Sequence, residues 1–100
     1  MAKSKALSLL GLAKRAHQLI DGEERVLKAC KTKTIKLIVL ASDAGENITK
    51  KMKQKAHFYT IPLIDDFTKT EITQAIGQLR TVVAITDSGF ARAIHNALNP

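Results

Sequence analysis

The chain has 100 residues, of which 45% are hydrophobic and 25% charged, and these proportions are typical of one soluble globular domain spanning residues 1–100. No apolar run approaches the roughly 18 residues of a membrane-spanning helix, and no uninterrupted apolar core follows the basic N-terminus as in a secretion signal. We therefore expect a cytoplasmic protein without a membrane partner. The single cysteine, Cys30, excludes an intrachain disulfide and a cysteine-based metal site, and its apolar context predicts a buried, inert thiol.

The positive charge is concentrated in the first half of the chain. The net charge is +7 and the pI about 9.8. Residues 1–56 contain thirteen basic and five acidic residues, a net charge of +8, whereas residues 57–100 contain three basic and four acidic residues, a net charge of −1. Such a distribution is expected of a protein that presents one face to a polyanion. Because many basic proteins are merely soluble, charge alone leaves nucleic-acid binding open.

The first third of the chain predicts a helix, a very short strand and a second helix. Residues 4–17 have apolar residues at helical spacing, and the apolar pair Leu19–Ile20 follows. Asp21 as the N-cap and Glu24 three residues later match a capping box, so the second helix is predicted to begin there.

The middle of the chain predicts strand, helix and strand. Ile35–Ala41 is the clearest strand, and its nearly continuous apolar run suits a central position that is covered on both faces. A strongly basic third helix is predicted for residues 47–56. Phe58–Ile61 then reads as a strand that Pro62 stops.

The last third repeats the alternation. Thr68 and Glu71 match a second capping box, residues 78–80 form a connector, Thr81–Thr86 is a buried strand, and Asp87 caps a last helix. Strands that alternate with helices imply crossover connections, which favour parallel pairing and place helices on both faces of the sheet. The predicted class is α/β, a three-layer α/β/α sandwich around a mixed sheet of about four strands.

Catalytic and metal-binding motifs are missing from the chain. It has no nucleotide-binding glycine loop and no nucleophile elbow, and its three histidines, His17, His57 and His95, lie far apart without metal-ligand spacing. We therefore expect no enzyme, no metal and no cofactor. One alternative is a small Mg²⁺-dependent enzyme that uses the aspartates following the strands, although these residues are also common turn and cap residues. Those aspartates are Asp43, Asp65, Asp66 and Asp87.

Three segments in register resemble a known family. They are Gly22-x-x-x-x-x-Lys28, the run from Ile35 to Asp43, and Ala75-x-Gly77-x-x-Arg80 before a valine-rich strand. Over almost its whole length the chain is similar to the kink-turn-binding ribosomal protein family, and most similar to a bacterial branch of it. The resemblance implies an α/β/α sandwich without catalytic activity that binds kinked RNA, typically at sheared G·A pairs.

The resemblance also implies where RNA is contacted. The family signature Gly-x-Asn-Glu-x-x-Lys starts the second helix, and Gly22 and Lys28 match it. Glu24 stands at the asparagine position and Arg25 at the glutamate position, so the chain departs from the family at the pair that reads guanine edges. The second contact surface that the resemblance implies is the loop Gln78–Thr81 before the last strand, where Arg80 occupies a position that is commonly basic.

Reasoning from the residues gives the same location. The start of a helix presents free N–H groups to an anion, and Arg25 and Lys28 share one exposed stripe there, although Glu23 and Glu24 oppose a phosphate. The lysines of the third helix are most simply a solvated surface. Lys31, Lys33 and Lys36 extend the basic region toward backbone phosphates. The RNA-binding residues predicted are Gly22, Glu24, Arg25, Lys28, Lys31, Lys36, Leu79, Arg80 and Thr81.

The sequence thus favours a monomeric RNA-binding protein whose partner is a structured RNA, either ribosomal RNA or another kinked RNA. A protein-interaction module on the same fold, with only non-specific affinity for RNA, is the main alternative, because fold does not fix function. The departures at Glu24 and Arg25 favour that alternative.

Overall fold

Five α-helices and four β-strands alternate along residues 2–100, which are the residues described by the structure, a computed structural model. The helices are α1 (Ala2–Arg15), α2 (Glu23–Ala29), α3 (Glu46–Phe58), α4 (Lys69–Ile76) and α5 (Ser88–Leu98), with a 3₁₀ turn at Cys30–Thr32 after α2. The strands are β1 (Leu19–Asp21), β2 (Leu37–Leu40), β3 (Leu63–Ile64) and β4 (Val82–Ile85). None of the described helices has both the length and the apolar character that crossing a membrane requires.

The four strands form one mixed sheet in the order β1-β4-β2-β3, which confirms the predicted class. Only β2 and β3 are parallel, whereas β1 and β2 both run antiparallel to β4. The expectation of parallel pairing was therefore wrong for two of the three pairs. The alternation of helices and strands does not specify strand direction. A helix can also connect two strands that are not neighbours in the sheet, and each of them can then pair with a strand that runs in the opposite direction. As a result, the end of β1 and the start of β4 lie at the same end of the sheet.

Two buried clusters on opposite faces of the sheet produce the three layers. Alternate residues of β2 face opposite sides, as the period of a strand requires, so that Leu37 and Val39 pack on one face and Ile38 and Leu40 on the other. Helices α1, α4 and α5 cover the first face, and α2 and α3 cover the second. Because both central strands are buried on both faces, each reads as an uninterrupted apolar run in the sequence.

The predicted strand Phe58–Ile61 is not a strand. Helix α3 continues through Phe58, and the Tyr59 N–H still bonds the Lys55 carbonyl at 3.0 Å. Thr60, with φ 55°, then reverses the chain, and the strand begins at Leu63. Aromatic and β-branched residues favoured a strand in the sequence, but the helix ladder extends over the first of them.

The helix caps confirm two predictions and correct a third. Thr68 and Glu71 form the capping box of α4, and the Asp87 carboxylate accepts the Phe90 N–H at 2.9 Å to cap α5. Helix α2, by contrast, has Gly22 at its N-cap and no side-chain cap. Asp21 is instead the last residue of strand β1, and basic side chains from three parts of the chain contact its carboxylate.

Candidate nucleic-acid interface

The antiparallel pairing of β1 with β4 brings together two segments that lie nearly sixty residues apart. Asp21 stands opposite Val83, and the Gly22 N–H bonds the Val82 carbonyl at 3.1 Å. The start of α2 and the loop Gln78–Thr81 are therefore neighbours at one end of the sheet. These two segments, which the resemblance implied as RNA contacts, form the candidate interface.

Gly22 has a backbone conformation that only glycine adopts readily. Its φ is 91° and its ψ is 145°, and it directly precedes the first residue of α2. Side chains with a Cβ are strained in this region, at a cost of about 1–3 kcal/mol. A Cβ at this position would lie 4.0 Å from the Arg80 Nε atom, an ordinary van der Waals distance, so the backbone conformation and not crowding is what favours glycine.

A buried carboxylate lies at the centre of the interface. The Asp21 side chain is only 4% exposed, and it contacts basic groups from three elements. Its Oδ1 accepts a hydrogen bond from Arg25 Nη1 at 3.3 Å, and its Oδ2 accepts one from Lys14 Nζ at 3.1 Å. Arg80 Nε lies 3.6 Å from the same Oδ2. Asp21 thus connects the end of α1, the first turn of α2 and the Gln78–Thr81 loop.

These cations keep Asp21 ionised despite its burial. Burial by itself raises the pKa of the carboxyl, but the Lys14 hydrogen bond and the positive charges of Lys14, Arg80 and Arg25 outweigh it, so that the pKa lies below the ordinary value of 3.8. Asp21 is the buried member of all three ion pairs, and a buried carboxylate left without its cations would be costly. The cluster is therefore a unit rather than a set of independent surface pairs.

Sequence reasoning missed Lys14 and gave Asp21 the wrong role. The signal in the sequence was an acidic residue that directly follows an apolar strand and precedes a glycine. At such a position the carboxylate lies at the edge of the sheet. No local pattern connects Asp21 with Lys14 or Arg80, because those partners lie 7 and 59 positions away.

The surface around the cluster offers both charge and apolar area. The Arg25 side chain is 71% exposed, and Lys28, one turn further along α2, is also exposed. Arg80 is more constrained, since its Nη1 donates to the Leu79 carbonyl at 2.9 Å and its side chain is 35% exposed. Leu79 itself is 74% exposed. The candidate interface thus combines positive charge with one projecting apolar side chain.

One of the two opposing glutamates is neutralised by α3. Glu23 accepts a hydrogen bond from Lys51 Nζ at 3.0 Å, so a lysine of the basic third helix lies at the interface after all. Glu24 is exposed and takes part in none of the ion pairs found among residues 2–100. The local field at the start of α2 is therefore more positive than the sequence indicates.

Two further predicted residues lie near the interface without forming its centre. Lys31 is exposed in the 3₁₀ turn, roughly 12 Å along the helix axis from Glu23 at 1.5 Å per residue. Thr81 is half-buried, and its carbonyl accepts the Ala41 N–H at 2.8 Å, so it fixes the loop against β2.

Lys36 does not join the other predicted residues. Its N–H bonds the Ile85 carbonyl at 2.7 Å, which places it at the end of β4, whereas the interface lies at the start of β4. It lines a separate surface depression with Arg92 and His95. Strand β2 begins where β4 ends because the two strands are antiparallel, and the sequence had not predicted that pairing.

Three of the four aspartates that follow the strands have structural partners. Asp43 accepts the Lys69 N–H at 2.9 Å, Asp87 caps α5, and Asp65 lies 3.8 Å from Lys53 Nζ. Among residues 2–100, no group of three or more histidine, cysteine, aspartate or glutamate side chains is placed to hold a metal ion.

Comparisons with known proteins place the chain in a family. Residues 4–95 match the ribosomal protein L7Ae/L30e/S12e/Gadd45 family. The RNA-binding protein YlxQ of Enterococcus faecium is 43% identical over 90 residues, which cover 90% of this chain and 87% of the relative. The RNA-binding protein YlxQ of Bacillus subtilis is 37% identical over 92 residues, which cover 91% and 92% of the two chains.

Solved structures agree with this placement. A protein of unknown function from Bacillus halodurans C superimposes with a TM-score of 0.91 at 40% identity, covering 96% of this chain and 98% of the other. A 15.5kD RNA binding protein from Giardia lamblia superimposes with a TM-score of 0.81 at 15% identity, covering 98% and 85%, and at that identity it shows the shared fold alone. The resemblance found in the sequence is confirmed, including its bacterial branch. The chain belongs to the ribosomal protein L7Ae/L30e/S12e/Gadd45 family.

Proposed function

We propose that this protein binds structured RNA through the candidate interface, and that its activity is binding rather than catalysis. The observation that carries the proposal is the arrangement of Arg25 and Arg80 on one buried carboxylate, at the place where the start of α2 meets the Gln78–Thr81 loop. The two YlxQ relatives, named as RNA-binding proteins, support it, and so does the concentration of basic residues in residues 1–56.

Each side chain at the interface has a distinct use in RNA recognition. The unused edge of the Arg25 guanidinium suits a bidentate contact with guanine O6 and N7 or with a phosphate. Lys28, one turn away, adds a phosphate contact without base preference. Leu79 is placed to pack on an extruded base or a sugar, and Gly22 allows the RNA backbone close to the start of α2.

We further propose that the preferred RNA is kinked, as in the kink-turn. The interface consists of two separate segments, a helix start and a loop, which suits an RNA whose strands diverge better than a continuous duplex. Arg25 occupies the position of the family glutamate. Recognition of guanine would therefore depend on the hydrogen-bond donors of Arg25 and not on a carboxylate acceptor. The expected setting is ribosomal or ribonucleoprotein, in the bacterial cytoplasm, with the protein as a monomer.

The test compares a kink-turn RNA with a control duplex in which Watson–Crick pairs replace the G·A pairs. Both affinities are measured at two salt concentrations, because phosphate contacts make binding strongly salt-dependent. We expect a preference for the kinked RNA of about tenfold or more, which corresponds to about 1.4 kcal/mol.

Variants locate the binding surface. Arg25→Ala and Arg80→Ala should each lower the preference, whereas Lys28→Ala should weaken both RNAs equally and reduce the salt slope by about one. Lys5→Ala is the matched control, since Lys5 is exposed near the start of α1, roughly 14 Å along that helix from Lys14. Equal, steeply salt-dependent binding of both RNAs would contradict the proposal and favour a protein-interaction module with only non-specific affinity for RNA.

A further inference from the structure

We propose that Asp21 is the positioning residue that gives the interface its discrimination between RNA shapes. It contacts no RNA itself. It fixes two guanidinium groups at a set spacing, so that the interface responds to the arrangement of phosphates and bases and not only to their charge. This inference rests on the RNA-binding function proposed above.

The geometry of the carboxylate carries the inference. The two oxygens of Asp21 are divided between partners, with Oδ1 bonded to Arg25 Nη1 at 3.3 Å, and Oδ2 bonded to Lys14 Nζ at 3.1 Å and 3.6 Å from Arg80 Nε. The partners come from α1, α2 and the Gln78–Thr81 loop. Because Asp21 itself is fixed in strand β1 and is 4% exposed, it holds these elements to a rigid point of the sheet.

Both arginines retain free donors after these contacts. Arg25 uses one Nη atom on Asp21 and remains 71% exposed. The Arg80 Nη1 is bonded to the Leu79 carbonyl at 2.9 Å, and its Nε is buried 3.6 Å from Asp21 Oδ2 without a hydrogen bond, so the Arg80 guanidinium is oriented by one hydrogen bond and by its attraction to the carboxylate. A planar donor group that is already oriented loses less side-chain freedom on binding, and its contacts become more dependent on geometry.

The charge balance of the cluster makes a distinctive prediction. Among residues 2–100, Asp21 is the one acid that contacts Lys14, Arg25 and Arg80, and it lowers their combined charge from three to two. Non-specific affinity for RNA increases with positive charge, whereas discrimination depends on how that charge is oriented. Removal of the carboxylate should therefore strengthen binding to any RNA while weakening the preference for one shape. A residue with only a folding role would not produce these two changes together.

The experiment compares Asp21→Asn with Glu23→Gln in the two-RNA assay described above. Glu23 is a matched control, because it lies two residues away and its neutralisation adds the same charge, yet it contacts Lys51 and neither arginine. Both variants should bind the control duplex more tightly. Asp21→Asn should reduce the preference for the kinked RNA by about fivefold to tenfold, as expected when two side chains lose their order, and Glu23→Gln should change it by less than about twofold.

The outcomes separate this inference from the proposed function. If the wild-type protein shows no preference for the kinked RNA, the proposed function fails. If the wild-type protein shows the preference and Asp21→Asn retains it, Asp21 has no positioning role and only this inference is overturned. Asp21→Glu keeps the charge and provides a rescue, since it should recover part of the preference that Asp21→Asn loses.

A measurement on the unmodified protein covers the case in which Asp21→Asn does not fold. Nitrogen NMR of the arginine side chains reports the motion and the solvent exchange of the Nε–H group. We expect the Arg80 Nε–H in the free protein to show restricted motion and slow exchange, because this atom is buried beside the Asp21 carboxylate. Averaged, rapidly exchanging signals for Arg80 would overturn the inference.

Discussion

The backbone N–H of Gly22 donates to the carbonyl of Val82 at 3.1 Å, and this bond joins the first residue before α2 to the first residue of β4. It continues the antiparallel β1–β4 ladder by one position beyond the pair Asp21 and Val83. The two segments of the candidate interface therefore meet because of the sheet. A parallel pairing of the same strands would have placed them at opposite ends of the sheet.

Replacement of Gly22 by alanine should destabilise the protein through the backbone. At φ 91° and ψ 145° an alanine is strained, and we expect the free energy of unfolding to fall by about 1–3 kcal/mol in a urea titration. Gly45→Ala is the matched control. Gly45 also precedes a helix, but its φ is −63° and a Cβ there would meet no atom within 4 Å, so a change of less than about 0.5 kcal/mol is expected. Equal effects of the two substitutions would show that backbone strain at Gly22 is not the cause.

The stability of the protein should depend on acid through Asp21. The pKa of this carboxyl in the folded state lies below 3.8, since the basic partners outweigh the effect of burial. A lowered pKa contributes stability above the unfolded value of 3.8, and this contribution is lost as the pH falls through the lower folded value. The measurement compares urea midpoints of the wild-type protein and Asp21→Asn at neutral pH and at about pH 3.

Asp21→Asn should be clearly less stable at neutral pH, and the difference from the wild-type protein should shrink in acid. The pKa of Glu71 is lowered mainly by the hydrogen bond from the Thr68 backbone. This shift is present in both proteins, so its effect on stability cancels in the comparison. A difference in stability that stays constant with pH would show that Asp21 does not carry the effect.

A comparison of Leu79 with Phe58 distinguishes RNA contact from surface exposure in general, because each side chain is 74% exposed. Leu79 lies in the interface loop, whereas Phe58 ends α3 in the part of the chain that leads to the start of β3. Leu79→Ala should leave the free energy of unfolding unchanged within about 0.5 kcal/mol and weaken binding of the kinked RNA by about tenfold, the effect of losing roughly half the burial of a leucine. Phe58→Ala should leave RNA affinity unchanged. A larger loss for Phe58→Ala would move the binding surface to the other end of the sheet.

The Cys30 thiol should be unreactive in the native protein. It is 1% exposed, and its burial raises the pKa of the thiol, with the positive charge of Lys55 only partly opposing the shift. Thiolate is the reactive form, so an aromatic disulfide reagent at neutral pH should modify Cys30 only at the rate at which the protein opens, and rapidly once urea unfolds it. Fast modification without denaturant would contradict the buried position.

Much of the architecture follows from patterns that act over a few residues. The apolar runs of β2 and β4 predict central strands, and the Thr68–Glu71 capping box predicts the start of α4, because the groups involved are neighbours in the chain. The strand predicted at Phe58–Ile61 failed for a similar local reason. The aromatic and β-branched residues there favour a strand, but the backbone hydrogen bonds of helix α3 continue as far as Tyr59.

The centre of the interface could not be predicted in this way. The acidic residues after Leu19–Ile20 match a capping-box pattern. The Asp21 carboxylate instead contacts Lys14, which lies 7 positions before it, and Arg80, which lies 59 positions after it. The family resemblance indicated the two segments of the candidate interface, and the antiparallel pairing of β1 with β4 explains why they are adjacent. The antiparallel pairing of β2 with β4 places Lys36 at the other end of the sheet, where no short-range pattern would have placed it.

The most direct test of the proposed RNA-binding surface is NMR mapping of the kink-turn RNA on the isotopically labelled protein. We expect backbone amide signals to shift most for Gly22 to Lys28 and for Gln78 to Val82, with the Arg25 and Arg80 side-chain signals shifting alongside them. Signals near Lys36, Arg92 and His95, at the opposite end of the sheet, should change little. Shifts concentrated at that opposite end, or spread evenly over all basic residues, would contradict an RNA-binding surface at the start of α2.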